Sequence, residues 1–202
     1  MKLVKYMSKK KLALIINIII LLTELFAFGR SIVVDHGIDL EYYTNDSNII
    51  ALISSLLFII FYNKDKEFVK DIRFIATSCL TVTFLVVIFI LCPMYDFNYK
   101  LLMFTDNFFI FHTLVPILSI FSYIALEDRS KKNYLCLLFT IIYAITIIPL
   151  NILKIVDGSY PFLKINDQGV IPTLLWGLLI IGGNYLLGIL LNTLNKKIKG
   201  AK

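Results

Sequence analysis

The chain has 202 residues, and 58% of them are apolar, well above the roughly 45–50% of ordinary soluble domains. This composition excludes a soluble domain and indicates an integral membrane protein. The formal net charge is +6, but the basic residues lie mainly between long apolar segments. The charge therefore marks membrane topology and attraction to anionic lipid, and no nucleic-acid partner is predicted.

Six segments are long and apolar enough to cross a hydrocarbon core, which takes about 20 helical residues. In chain order they are Leu12–Gly29, Thr44–Tyr62, Phe74–Pro93, Asn107–Leu126, Tyr134–Lys154 and Pro172–Leu194. Backbone polar groups in lipid have to be satisfied within the spanning segment, so apolar runs of this length are helices. We predict an all-α fold in which residues 1–202 form one domain, a bundle of six transmembrane helices.

The first segment is predicted to remain as a helix and not to be cleaved as a signal peptide. Its apolar run is too long for a signal core, contains Glu24 and lacks a small-x-small cleavage site.

The basic residues predict the orientation of the bundle. On one side of the membrane the basic residues are only Arg30, Lys100, Lys154 and Lys164, and all the others lie on the opposite side. The majority side includes Lys2, Lys5 and Lys202 near the ends of the chain. The positive-inside rule therefore predicts that both termini are cytoplasmic.

The second segment begins with a polar block, Thr44-Asn45-Asp46-Ser47-Asn48. Without this block, Ile49–Phe61 would span only about 20 Å at 1.5 Å per residue, well short of the roughly 30 Å core. The block is therefore predicted to lie at membrane depth. One helix face then carries Thr44, Ser47, Asn48, Ala51 and Ser55. We expect this face to line a water-filled cavity or to pack against a neighbouring helix.

Two ionisable residues are predicted at a similar depth. Helical rise places His112 about 8 Å and Glu24 about 9–12 Å below the outer surface. The inner halves of the helices are nearly all Ile, Leu, Val and Phe, so the polar groups are expected only in the outer halves. An ionisable residue inside a membrane indicates a functional site by default, and hydrogen bonding between helices is the structural alternative for both residues.

The residue types at this depth suit nucleophilic catalysis. A threonine hydroxyl is a poor nucleophile unless a neighbouring base removes its proton, so Thr44 is predicted as nucleophile and His112 as base. Glu24 is the candidate to orient the imidazole. The candidate hydrogen-bond donors to an oxyanion are Asn45, Asn48 and Thr113. Proton relays and ion paths use the same residue types, so a transporter also fits the pattern.

Four short motifs lie between about Tyr42 and Asn192. They are Tyr42-Tyr43-Thr44, His112-Thr113-Leu114-Val115-Pro116, Tyr160-Pro161-Phe162-Leu163, and Tyr185-Leu186-Leu187-Gly188 with Leu191-Asn192. In content and order they resemble the androgen-induced-gene family of multi-pass membrane proteins. Its animal members are threonine hydrolases of fatty-acid esters of hydroxy fatty acids. The resemblance implies that Thr44 is the nucleophile and His112 the catalytic histidine.

The chain departs from this family directly after the threonine, where the animal proteins are more apolar. The departure leaves Ser47, one turn deeper on the same helix face, as a rival nucleophile. A Lys/Ile/Asn-rich composition is typical of a bacterial chain, whose ester substrate is expected to differ from the animal one.

Other polar or small residues have structural and functional interpretations. Tyr160 is predicted to anchor at the membrane interface or to line the cavity, and Asn184 to bind a neighbouring helix or to line the cavity. Gly177 and Gly188 share a face of the last helix and would allow close packing there. Three cysteines without metal-ligand spacing, Cys79, Cys92 and Cys136, are expected to be small buried side chains.

Together these observations predict a hydrolase of lipid or fatty-acyl esters in a bacterial cell membrane, with its active site facing the extracytoplasmic side. The expected partners are the bilayer and a lipid or fatty-acyl substrate, with no cofactor and no metal. One alternative is a membrane acyltransferase that uses Thr44 and His112 in the same way. The other is a non-enzymatic transporter or membrane interaction protein.

Overall fold

The computed structural model describes residues 8–200, and six long helices dominate it. They are α1 (Lys9–Val34), α2 (Tyr43–Ile60), α3 (Glu67–Met94), α4 (Asp106–Ala125), α5 (Asn133–Ile152) and α6 (Val170–Lys199). Residues 8–200 contain no strand. All six helices are long and apolar enough to cross a membrane, which confirms the predicted all-α fold and indicates a multi-pass membrane protein.

The central helix of the bundle is α3, which packs against α2, α4, α5 and α6, while α1 packs against α2 and α4. Small side chains on α3, such as the fully buried Ala76 and Cys79, permit these close contacts. Cys92 and Cys136 are also buried, and none of the three cysteines forms a disulfide within the described residues. This agrees with their prediction as small buried side chains.

Both ends of the described chain lie at the same end of the bundle. Lys9, at the start of α1, and Lys199, at the end of α6, line one cavity together with Lys64 from the α2–α3 connection. We call this the inner end, and the opposite one the outer end; that the inner end is cytoplasmic stays a prediction. Lys2, Lys5 and Lys202, which support that prediction, lie outside the described residues.

The start of α3 differs from the prediction. The helix begins at Glu67, well before the predicted start at Phe74. The charged turn in between does not end the helix, because most of its side chains remain at the inner surface and Arg73 forms a buried ion pair with Glu127.

Two helices contain a π-helical turn shortly before a proline. The turn Val87–Leu91 precedes Pro93 in α3, and the turn Phe109–Leu114 precedes Pro116 in α4. Proline has no N–H, so a carbonyl one turn earlier loses its usual partner, and the turn can widen at low cost. Both turns contribute residues to a cleft at the outer end.

Gly188 allows α6 to pack closely on α5. A Cβ at this position would lie 2.6 Å from Cys136 Sγ and 3.3 Å from the Phe74 ring. We expect Gly188→Ala to lower the free energy of unfolding by about 1–3 kcal/mol, because the helices have to move apart. Reversible unfolding in mixed micelles measures this loss.

Gly183→Ala is the matched control on the same helix, because a Cβ there meets no atom within 4 Å. Equal losses in the two variants would contradict the packing explanation. Gly177 was predicted to allow close packing as well, but a Cβ at that position would also meet no atom within 4 Å. The close approach is therefore confined to Gly188, and the prediction for Gly177 is corrected.

Candidate functional site

A cleft of about 770 Å³ opens at the outer end of the bundle. Its walls come from the α1–α2 connection, the first turn of α2, the short helix Tyr99–Phe104, the π turn of α4 and the α5–α6 connection. Among the residues that line it are Thr44, Asn45, His112 and Tyr160. The start of the polar block of α2 therefore borders an open cleft.

Thr44 lies in the first turn of α2, is only 8% exposed and has Tyr160 as its partner. The backbone N–H of Thr44 donates to the phenol oxygen of Tyr160 at 3.1 Å, and Thr44 Oγ1 lies 3.1 Å from the same oxygen. No side chain at the N-cap position bonds to the first turn of α2. Tyr160, from a distant connection, thus satisfies one of the free amides at this helix start.

Tyr160 is a hydrogen-bond donor at this site and not a base. Burial raises the pKa of Tyr160 to about 12, although its hydrogen bonds with Thr44 act in the opposite direction. The phenol is therefore protonated at pH 7. Since its oxygen already accepts the Thr44 amide, its O–H is available for Thr44 Oγ1 or for a ligand oxygen.

The imidazole of His112 is held in one tautomer. His112 is 5% exposed, and its Nδ1 lies 2.5 Å from the carbonyl oxygen of Leu102. A carbonyl only accepts, so Nδ1 carries the proton and Nε2 of the neutral ring is left as an acceptor. Among residues 8–200 no hydrogen bond engages Nε2, and the ring lines the cleft. A residue that lines the cleft therefore has a ring nitrogen that can accept a proton.

His112 and Thr113 also hold the end of the short helix Tyr99–Phe104. Thr113 Oγ1 donates to the Met103 carbonyl at 2.8 Å, next to the bond between His112 and the Leu102 carbonyl. The last carbonyls of a helix have no intrahelical donor, and these side chains supply one. This corrects the expectation that Thr113 donates to an oxyanion, because its O–H is already engaged.

Asn48 links the first turn of α2 to the π turn of α4. Its Nδ2 donates to the carbonyl of Thr44 at 2.8 Å and to that of Phe111 at 3.4 Å. The Phe111 carbonyl is free to accept because Val115 N–H bonds five residues back within the π turn and Pro116 has no N–H. Asn48 therefore positions the two helices and is not a free oxyanion donor, which corrects that expectation.

Glu24 does not orient the imidazole as expected. The Leu102 carbonyl takes that position at Nδ1 of His112. Glu24 is fully buried, and neither of its carboxyl oxygens has a hydrogen-bond partner within residues 8–200. Glu24 is not among the residues that line the cleft, so its unpartnered carboxyl is a feature of the bundle outside this site.

The rival nucleophile Ser47 is enclosed. Its Oγ donates to the Thr44 carbonyl at 2.9 Å and lies 3.0 Å from Thr83 Oγ1, and the side chain is fully buried outside the cleft lining. Asn45 does line the cleft, but its Nδ2 donates to the Asp39 carbonyl at 2.7 Å. The geometry favours Thr44 over Ser47 as the accessible hydroxyl.

Asn184 joins α6 to α5. Its Nδ2 donates to the Cys136 carbonyl at 2.8 Å and to Thr140 Oγ1 at 2.6 Å. Of its two predicted roles, the structure supports helix packing, because Asn184 lines neither the cleft nor the pocket next to it.

A small apolar pocket of about 60 Å³ adjoins the cleft. Thr44 and Tyr160 line both spaces. The remaining lining is mainly apolar and includes Val82, Val86, Ile147, Phe162 and Ile180. The hydrogen-bonded pair of Thr44 and Tyr160 thus stands between a polar cleft and an apolar pocket.

Contrary to the prediction, the inner halves of the helices contain a buried polar network. Arg73 and Glu127 form a bidentate ion pair with both N–O distances at 2.9 Å, and their side chains are 1% and 2% exposed. Ser54 accepts from Arg73 at 3.1 Å, while Ser122 and Asn17 donate to Glu127 at 2.6 and 3.1 Å. The prediction was wrong because it counted Arg73 only as a topology signal. Serines at inner positions of α2 and α4 were the available sequence signal.

The chemistry of the cleft rests on its own geometry. Three comparisons, with protein-family models, with curated proteins and with solved structures, found no match to this chain. Within residues 8–200, no group of three or more His, Cys, Asp or Glu side chains is placed to hold a metal ion. What the cleft brings together is a threonine hydroxyl, a tyrosine hydroxyl and an imidazole, from three separate parts of the bundle.

Proposed function

We propose that this protein is a membrane-embedded hydrolase of lipid or fatty-acyl esters that uses Thr44 as nucleophile and His112 as general base. The observation that carries the proposal is that both residues line one cleft, with His112 held in the tautomer that leaves Nε2 unbonded. The order of the sequence motifs around them supports the same function. The pattern of basic residues would place this site on the extracytoplasmic side of a bacterial cell membrane.

The proposed reaction starts with attack of Thr44 Oγ1 on the ester carbonyl, while its proton passes to His112 Nε2. Collapse of the tetrahedral intermediate breaks the ester bond, and the leaving alcohol takes that proton. Water then attacks the acyl-threonine with the same base, releasing the acid. Among residues 8–200 no hydrogen bond joins Thr44 to His112, so the proposal requires the two to approach when substrate binds.

In the proposed reaction Tyr160 stabilises the oxyanion, which requires a protonated phenol. Its O–H, kept neutral by burial, would donate to the oxyanion next to Thr44. The first-turn amides of α2 other than that of Thr44 would provide a second source of donors, because the N-cap side chain does not engage them and Tyr160 accepts only the Thr44 N–H. These groups replace Asn48 and Thr113, whose donors are bonded elsewhere.

The two spaces around Thr44 fit an ester that has a polar portion on one side of the ester bond and an apolar acyl chain on the other. The open cleft would hold the polar portion, and the apolar pocket beyond Tyr160 would accept the first methylene groups of an acyl chain. A pocket of about 60 Å³ admits only a short segment, so a long chain has to leave it towards the lipid.

A fluorophosphonate probe tests the proposal on the detergent-purified protein. An activated hydroxyl displaces fluoride and forms an O–P bond, so labelling reports the nucleophile without knowledge of the ester. We expect labelling of wild type and of Ser47→Ala, and none of Thr44→Ala. Ser47→Ala is the matched control, because Ser47 lies one turn away and bonds to the Thr44 carbonyl.

Labelling that is lost only in Ser47→Ala would overturn the assignment of Thr44 as nucleophile. Folded wild type without any labelling would overturn the proposal that the protein is an enzyme. An acyltransferase would label in the same way. It differs in that an added acceptor alcohol receives the acyl group and little free acid appears.

A membrane transporter is the second candidate, and a specific observation favours it. Polar side chains on α2 run from Thr44 at the outer cleft through Asn48 to Ser54 and Ser55, which bond to Arg73 at the inner cavity. The partnerless Glu24 carboxyl would suit a proton carrier. Proton-coupled flux into proteoliposomes that stops in Glu24→Gln, together with no probe labelling, is the result that this function predicts.

A further inference from the structure

The inner end of the bundle contains a second cavity, of about 300 Å³, that the proposed reaction does not use. It lies where α1 and α3 begin and α2 and α6 end, with the α2–α3 connection and residues 126–128 completing its wall. This places it at the level of the membrane–water interface. Its volume is at the lower end of the range of about 300–1,000 Å³ that is typical of ligand sites.

The charges around this cavity do not balance. Each lining carboxylate already forms an ion pair: Asp65 with Lys70, which also pairs with Glu67, Glu127 with Arg73 and Asp128 with Lys199. Four basic residues of the lining form no ion pair within residues 8–200: Lys9, Lys10, Lys64 and Lys66. Four lysines from two separate parts of the chain therefore lie around one space, and none of them has a carboxylate of residues 8–200 within ion-pair distance.

Aromatic rings hold two of these ammonium groups at the rim. Lys10 Nζ lies 4.8 Å from the centre of the Tyr62 ring, and Lys64 Nζ lies 5.8 Å from that of Phe61. The floor is formed by the buried pair of Arg73 and Glu127, whose charges satisfy each other. A ligand anion would therefore bind to the lysines at the rim and not compete with the ion pair.

Part of the cavity lining is apolar, and this favours a phospholipid over a free phosphate ion as the bound anion. Ala13, Phe58, Val69 and Leu126 line the cavity next to the charged rim. These apolar side chains do not stabilise a free phosphate ion, whereas the glycerol and first methylenes of a phospholipid can pack against them. We propose that this cavity binds the phosphate-bearing headgroup of an anionic phospholipid from the adjacent leaflet.

The test measures lipid binding to the full chain in neutral detergent by titration in native mass spectrometry. Phosphatidylglycerol is compared with phosphatidylcholine of the same acyl chains. We expect tighter binding of phosphatidylglycerol, and we expect Lys64→Ala with Lys66→Ala to weaken it by roughly 30-fold, from the contribution of a lysine near an anionic lipid.

The matched control is Lys196→Ala with Lys197→Ala, which removes two exposed lysines at the same end of the bundle but outside the cavity. It should leave phosphatidylglycerol binding within about threefold of wild type, since diffuse attraction alone changes little. Equal weakening in the two double variants, or equal binding of the two lipids, would overturn the site.

Glycerol phosphate distinguishes the two sources of the anion. Weak or no displacement of phosphatidylglycerol by glycerol phosphate supports a lipid site. Displacement at equal concentration would overturn the lipid and leave a soluble phosphate compound as the ligand. All these variants change exposed lysines, so unfolding midpoints without lipid should match that of wild type.

Discussion

Replacing Glu127 by alanine is expected to destabilise the bundle by about 3–5 kcal/mol, because Arg73 then keeps a buried charge without its partner. In the folded protein both nitrogen–oxygen contacts of the pair measure 2.9 Å, and the side chains are 1% and 2% exposed. Equilibrium unfolding in mixed micelles measures the loss.

The exposed ion pair between Arg30 and Asp106 provides the control. Its atoms approach to 3.0 Å, but its side chains are 33% and 68% exposed, so Arg30→Ala should cost only about 0.2–1 kcal/mol. A cost for Glu127→Ala that is no larger than this would contradict the prediction. In the double variant Arg73→Met with Glu127→Leu we expect much of the loss to be recovered, because no charge remains buried.

The same pair predicts how stability depends on pH. Burial alone would raise the pKa of Glu127, but the Arg73 guanidinium and the hydrogen bonds from Ser122 and Asn17 outweigh it, and the net pKa is lowered. The contribution of this group is therefore fully present above the pKa of the unfolded chain. It is lost as the pH falls through the lower pKa of the folded state.

The sequence predicts the six helices because lipid leaves the backbone few alternatives. A run of about 20 apolar residues has to form its hydrogen bonds internally, whatever packs around it. The helix ends are less predictable. Whether α3 starts at Glu67 or Phe74 depends on whether Arg73 finds a partner, and Glu127 lies on another helix connection far along the chain.

Depth along a helix is also accessible from sequence, and depth is what groups Thr44 with His112. The direction in which each side chain points is not accessible. The π turn before Pro116 shifts the face of α4 by part of a turn, so that His112 and Thr113 both reach the short helix Tyr99–Phe104. Pro116 is visible in the sequence, but the hydrogen bond that Asn48 donates to the freed Phe111 carbonyl is a contact between two helices that only the fold reveals.

The partner of Thr44 illustrates a third limit. Tyr160 lies 116 residues further along the chain, in a connection whose path is set by α5 and α6. A tyrosine near a helix end is usually an interface anchor, and only the folded bundle brings its hydroxyl to the first turn of α2. Residue type and depth thus predict Thr44 and His112 in the cleft, whereas for Tyr160 the sequence leaves cavity lining and interface anchoring as alternatives.

The final prediction separates the two functions of His112. We expect His112→Asn to lower the turnover of an ester substrate by about 10²–10⁴-fold while the protein stays folded, because the asparagine Nδ2 can still donate to the Leu102 carbonyl but nothing replaces the base at Nε2. Thr113→Val is the matched control: it removes the parallel bond to Met103, so it should cost about 0.5–1.5 kcal/mol of stability and leave turnover nearly unchanged. Turnover and the unfolding midpoint are measured on the same preparations. If His112→Asn loses stability like Thr113→Val and keeps its turnover, His112 serves only to hold the short helix and is not the base.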